Sequence, residues 1–256
     1  MSLELTIENI SAEQFFKMIL AGADNLDLHK ESVNQLNVFP VPDGDTGTNM
    51  AMTMQSAAKF IRQAETPSVG EYASKAAFGA VMGARGNSGV IFSQILTGFA
   101  KGLAGCETID AAALVAGFNG GVQSAYKAVS NPMEGTILTV VREAAEALSA
   151  QYKKGMDILE CLRIYIAAGH ASLARTPELL PVLKQAGVVD AGGSGYLYVI
   201  EGSTERRTPD VIIDDAIEMQ RRAMRDLRKP YQRFGVETVQ FQYFFAKVMA
   251  ERSRET

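Results

Sequence analysis

Apolar residues recur at helical spacing along much of the chain. Phe15, Ile19, Ala23 and Leu26 follow one another at intervals of four, four and three, and Ile158, Leu162, Tyr165 and Ile166 repeat the pattern. Such spacing lines one face of a helix and predicts an apolar stripe turned to a core. The run Val90 to Ala100 is largely apolar and uncharged, which predicts a buried helix, while no alternating run of useful length competes for a strand. The pattern therefore predicts an all-α fold. After Glu201-Gly202 a polar stretch, Ser203 to Pro209, breaks the periodicity and marks a boundary. Residues 1–204 are expected to form the main domain, and 205–256 an appendage. Within that appendage 210–229 reads as an amphipathic helix, with Ile213, Ile217, Met224 and Leu227 near one side and Arg221, Arg222, Arg225 and Arg228 clustered in its second half. Val239 to Phe245 is aromatic-rich, like the start of a further region.

Composition narrows this picture. At 256 residues and 47% hydrophobic the chain can bury a full core, and the absence of Trp beside abundant Ala, Met and Leu suits helix packing. A net charge of −4 gives no footprint for nucleic acid. Cys106 and Cys161 stand far apart, with only His29 and His170 to join them, so no thiolate or imidazole cluster for zinc is expected and both thiols should be reduced and buried. The start Met1-Ser2-Leu3-Glu4 lacks a signal pattern, and uncharged runs such as Ala111 to Tyr126 contain Gly, Asn and Gln and fall short of a membrane span, which predicts a cytoplasmic protein.

The candidate chemistry sits in glycine-rich breaks that each precede a helix. In Val41-Pro42-Asp43-Gly44-Asp45-Thr46-Gly47-Thr48-Asn49-Met50 two carboxylates stand one residue apart. Such a pair repels itself unless a cation or several donors neutralise it, and Mg²⁺ commonly binds through one or two carboxylates plus phosphate oxygens. Gly44 and Gly47 permit positive φ, so the backbone can turn its amides toward an anion at a helix N-terminus. The competing reading is an ordinary turn in which Asp or Thr caps a helix. A calcium loop is set aside because its twelfth position, counted from Asp43, is Met54 instead of Glu. The second break, Gly83-Ala84-Arg85-Gly86-Asn87-Ser88-Gly89, suits either close approach to phosphate or a tight helix crossing. It is neither a Walker A loop nor a hydrolase elbow. Val188 to Tyr196 repeats acid, glycines and hydroxyl around Asp190 without the dinucleotide spacing. Asn131-Pro132-Met133-Glu134-Gly135-Thr136 places Thr136 near a helix start.

Three of these loops, Asn37 to Met50, Gly83 to Val90 and Ala186 to Gly193, resemble those of the nucleotide-binding domain of bacterial fatty acid kinase A, which is similar in turn to the ATP-binding L subunit of dihydroxyacetone kinase. The resemblance runs in consistent order over roughly residues 8 to 204. It implies a barrel of about eight antiparallel helices whose loops at one end hold ATP with Mg²⁺, two ions being expected. Asp43 and Asp45 would be the metal ligands and the catalytic pair, with Thr46, Thr48 and Asn49 close to the phosphates. Gly86, Asn87, Ser88 and Gly89 would wrap the phosphates, and Gly135, Thr136 and Asp190 would border the nucleoside. Dihydroxyacetone kinases carry a further aspartate upstream; here the nearest equivalent is Asn37, a metal ligand with one fewer charge. His170 stands where the dihydroxyacetone branch tends to carry arginine; a lone His on a helix is more often a packed or surface residue than a catalyst. The implied activity is transfer of the ATP γ-phosphate to a fatty acid carboxylate presented by a separate fatty-acid-binding protein. The alternatives are a dihydroxyacetone-type kinase subunit and a non-catalytic ATP-binding module. A homodimer is compatible with the sequence.

Overall fold

A computed structural model describes residues 7–205 apart from Thr66. The expectations placed on 206–256 lie outside the described residues. The chain folds into helices α1 (Ala12–Gln35), α2 (Thr46–Ile61), α3 (Val69–Gly83), α4 (Gly86–Gly102), α5 (Ala111–Ala128), α6 (Ile137–Gln151), α7 (Ile158–Leu179), the single-turn α8 (Pro181–Ala186) and α9 (Ala191–Glu205). Ile10 and Ile109 pair as an isolated bridge, and no strand occurs among the described residues.

Each of the eight long helices packs on the one before it, and α9 packs on both α7 and α1, closing a ring. Short connections make sequential neighbours antiparallel, so the α1–α2, α3–α4, α5–α6 and α7–α9 connections gather at one end of the barrel. The expected barrel of eight antiparallel helices is what forms, with α8 as a ninth, minor turn. The stripes read from the sequence face inward: Phe15, Ile19, Ala23 and Leu26 of α1 and Ile158, Leu162 and Tyr165 of α7 are buried. At the centre Phe118 stacks on Tyr165, ring centroids 3.7 Å apart, and the Tyr165 and Tyr196 hydroxyls lie within 2.6 Å and satisfy each other.

Helix capping divides the two ends. At the far end α1, α3, α5 and α7 start on Ser11, Ser68, Asp110 and Asp157, each of which accepts a backbone N–H of its own first turn. At the near end α2 and α4 start on Asp45 and Arg85, neither of which makes a side-chain cap bond. α9 continues through Ser203, whose hydroxyl donates to Met18 and Val199 carbonyls, so helix persists into the stretch expected to break it. Among the described residues no helix is long and apolar enough to cross a membrane. Cys161 is buried as expected, whereas Cys106 is only partly so, and both are free.

Candidate functional site

Asp45 occupies the N-cap position of α2 without capping it, because two asparagines from upstream take over that work. Asn34 on α1 accepts Thr48 N–H at 3.0 Å and donates to Thr48 Oγ1 at 3.0 Å. Asn37 Oδ1 accepts from Asp45 N (3.2 Å), Thr46 N (3.1 Å) and Thr46 Oγ1 (2.7 Å), while its amide donates to the Val41 carbonyl at 2.8 Å. The Asp43 and Asp45 carboxylates are consequently left exposed with no hydrogen bond or ion pair among the described residues. Gly44, at φ 68°, makes the turn between them. Gly47 departs from expectation. It is helical, and its missing side chain is required because a Cβ would lie 2.1 Å from the Lys30 carbonyl oxygen of α1.

The α3–α4 connection shrinks to Ala84 and Arg85. Gly86 enters α4 at φ 59°, and the backbone N–H groups of Gly86, Asn87 and Ser88 have no partner among the described residues. Three open amides at a helix N-terminus form an anion site. Asn49 is buried behind them, its Nδ2 only 2.5 Å from where a Gly86 Cβ would stand, and Gly89 packs over Thr53. Gly83 and Gly89 therefore serve a close helix crossing, as the second of the two sequence readings had it, whereas Gly86 opens the amides.

The other two N-termini at this end are already filled. Thr136 caps α6 through Leu138 N–H and donates to the Met133 carbonyl at 2.7 Å. Asp190 caps α9 by accepting Gly193 N–H at 2.7 Å, and its carboxylate also accepts Ile137 N–H of α6. Its own N–H donates to Thr176 Oγ1 at 3.0 Å. Burial pushes the Asp190 carboxyl up to about 6, against the pull of those two amides. A folded-state value above the ordinary one means that the neutral acid contributes stability below about pH 4, and that this contribution is lost as pH rises through 6. Between pH 4 and 7 the stability of Asp190→Asn relative to the native chain should therefore rise by on the order of 3 kcal/mol. Urea unfolding at the two pH values checks this; a constant difference would mean that Asp190 is not held near 6.

The four connections enclose a cleft of about 610 Å³, within the range of small-molecule sites. Its polar lining comprises Asn37, Asp43, Asp45, Thr46, Gly86, Asn87, Ser88, Thr136 and Asp190, with Ser130 and Asn131 from the α5–α6 loop. Thr48, Asn49, Gly89 and Gly135 do not line it and stand one layer behind. In ring order the α5–α6 loop lies across the barrel end from the aspartates, with the open amides to one side and Asp190 to the other. That loop and the helix turns beside it supply an apolar wall of Val90, Ile91, Val129, Met133, Ile137 and Leu138. Sequence reasoning missed this wall; its signal was the apolar residues on both flanks of the glycine loops. His170 projects from α7 to pair with Glu201 of α9 and does not line the cleft. No cluster of three or more His, Cys, Asp or Glu suited to a metal occurs among the described residues.

Comparison with known proteins fits this geometry. The model of the DAK2 domain matches residues 40–205. Protein YloV of Bacillus subtilis (strain 168) is 48% identical over 198 residues, 77% of this chain and 36% of the relative. An uncharacterised protein of Staphylococcus aureus (strain USA300) is 45% identical over 196 residues, with the same two coverages. The match thus spans 36% of the length of these curated relatives. The crystal structure of the dihydroxyacetone kinase of C. freundii in its native form superposes with a TM-score of 0.57 at 19% identity, covering 81% of this chain and 37% of that one. The same kinase in complex with AMP-PNP and Mg²⁺ gives the same score and identity over 81% and 36%. At this identity the likeness is one of fold.

Proposed function

The chain belongs to the DAK2 domain family, and from that premise we propose that its cleft binds ATP with Mg²⁺ and transfers the γ-phosphate to an acceptor brought by another protein. The observation that carries this reading is the pair of unpartnered carboxylates, Asp43 and Asp45, in one cleft with the open amides of Gly86, Asn87 and Ser88. Asp43 and Asp45 would hold the metal, whose chemistry would be to neutralise phosphate charge. With two carboxylates for the two ions expected, further oxygen ligands would have to come from water and phosphate. The α4 amides receive phosphate oxygens, helped by Thr46 and backed by Thr48, Asn49 and Gly89. Asn37 serves this site by ordering the loop, its carbonyl already taken by three donors. Thr136 and Asp190 would border the nucleoside, with Gly135 one layer behind them, and the base would rest against the apolar wall.

For the acceptor we favour a fatty acid carboxylate held by a separate fatty-acid-binding protein, giving an acyl phosphate. A carboxylate is ionised at neutral pH and needs no base. The cleft lining contains no His or Lys, and its carboxylates are engaged otherwise, Asp43 and Asp45 with the metal on this reading and Asp190 with two amides. A hydroxyl acceptor, as in a dihydroxyacetone-type kinase, would require a base from the partner. Exposed Met52, Phe78, Val81 and Met82 on α2 and α3, near Val90 at the cleft, support docking of a protein on this side. ATP as donor would suit a reaction in the cytoplasm.

Thermal unfolding with ATP, Mg²⁺ and both together tests the site. Ligand at about 100 times its dissociation constant adds roughly 2.7 kcal/mol, or about 5 to 11 °C at this size, and the shift should require both components. Absence of any shift would remove the nucleotide site. ATP consumption with an acyl-loaded or a dihydroxyacetone-loaded partner then decides the acceptor, and binding without turnover in either would identify a non-catalytic module.

A further inference from the structure

The loop across from the aspartates, residues 129–136, is tied down on its outer side by a carboxylate that does not line the cleft. Glu134 accepts from three donors: Tyr126 Oη at 3.0 Å on one oxygen, and Thr139 Oγ1 at 2.7 Å and Arg142 Nη2 at 2.9 Å on the other. Arg142 Nε also donates to Tyr126 Oη at 3.1 Å, so α5 and α6 are joined through the same hub. Partial burial works against the charge, but the bonds from Thr139, Arg142 and Tyr126 outweigh it and hold the Glu134 carboxyl below its ordinary value. Because its single proton goes to Glu134, the Thr139 hydroxyl presents a lone pair to Gly135 N–H at 2.8 Å. Gly135 adopts φ 81°, wedged where a Cβ would meet Leu179, Leu180 and the Thr176 carbonyl. The residues beside this hub, Met133 and Thr136, both line the cleft.

We propose that Glu134 is a positioning residue for the nucleoside: through Thr139 and Gly135 it holds the Val129–Thr136 wall in the shape that accepts base and sugar. It takes no part in holding the phosphates, which would lie at the α2 N-terminus across the barrel end and the α4 N-terminus to one side. The inference rests on the Mg·ATP reading of the cleft.

The test compares the native 256-residue chain with Glu134→Ala and Glu134→Gln by calorimetric titration with ATP and with inorganic tripolyphosphate, each with Mg²⁺. About half of the Glu134 side chain is exposed, so its removal leaves no core cavity. Glu134→Ala is expected to weaken ATP about tenfold, the scale of a lost charge-assisted contact, and to leave tripolyphosphate within about twofold of the native chain. Glu134→Gln, which keeps size and part of the acceptor capacity, should fall between. Hydrogen exchange at the Gly135 amide should quicken in both variants, and the melting temperature should fall by no more than a few degrees. A variant that binds ATP normally, or loses both ligands by the same factor, overturns the proposal and leaves the nucleotide site standing. A native chain that takes up neither ligand overturns both.

Discussion

Replacing Asp43 or Asp45 with asparagine should lower the apparent Mg²⁺ affinity of the ATP-bound chain by at least about a hundredfold and leave the ligand-free melting temperature unchanged or slightly higher. Changes one shell out from a metal already cost about 10- to 100-fold, so loss of a coordinating carboxylate stands at or beyond the top of that range. The stability half of the prediction follows from the same geometry. Neither carboxylate has a native partner to lose, their mutual repulsion is relieved, and α2 keeps its caps because Asn34 and Asn37 supply them. Magnesium titration at saturating ATP, with thermal unfolding of each variant alone, measures both halves. Normal Mg²⁺ dependence in the variants would remove the metal assignment.

A large loss of stability is expected from Gly47→Ala. The new Cβ would sit 2.1 Å from the Lys30 carbonyl oxygen and 2.9 Å from Val33 Cβ, and a helix backbone cannot step aside as a flexible side chain can. α1 and α2 would have to part at the point where Asn34 reaches across to Thr48. A cost of about 3 kcal/mol is expected, lowering the midpoint by about 6 to 12 °C. Gly187→Ala is the control. It has positive φ, 68°, but nothing within 4 Å, so its cost should stay near 1 kcal/mol. Equal melting temperatures for the two variants would mean that the α1–α2 crossing is looser than described.

The helices and the loops of the cleft were legible because both rest on local signals. A stripe such as Phe15, Ile19, Ala23 and Leu26 has one face whatever it packs on, and a glycine-rich break with acids or hydroxyls can be read without its partners. What stayed hidden was set by residues distant in sequence. Nothing local tells Gly44, needed for its φ, from Gly47, needed because α1 passes close by. Whether Asp45 caps its own helix depends on Asn34, in the last turn of the preceding helix. Asn37 could be expected at the metal by its place upstream of the aspartates; its bonds to Val41, Asp45 and Thr46 show how it holds the loop. The Tyr165–Tyr196 pair required knowing that α7 and α9 are neighbours.

That the ring closes through α9 has a consequence for biogenesis. During synthesis α1 to α7 can pair in the order they emerge, each on its predecessor, but the seam between α7 and α1 stays open until α9 arrives. Until then Phe15, Met18 and Leu26 on one side and Tyr165 and Leu173 on the other lack their final cover, a state prone to association with other nascent chains. A chain halted before residue 191 should therefore depend on chaperones, and one carried past 205 should escape them. The last of the described helices is the one that sets Asp190 at the edge of the cleft, so completion of the barrel and completion of the site become a single event.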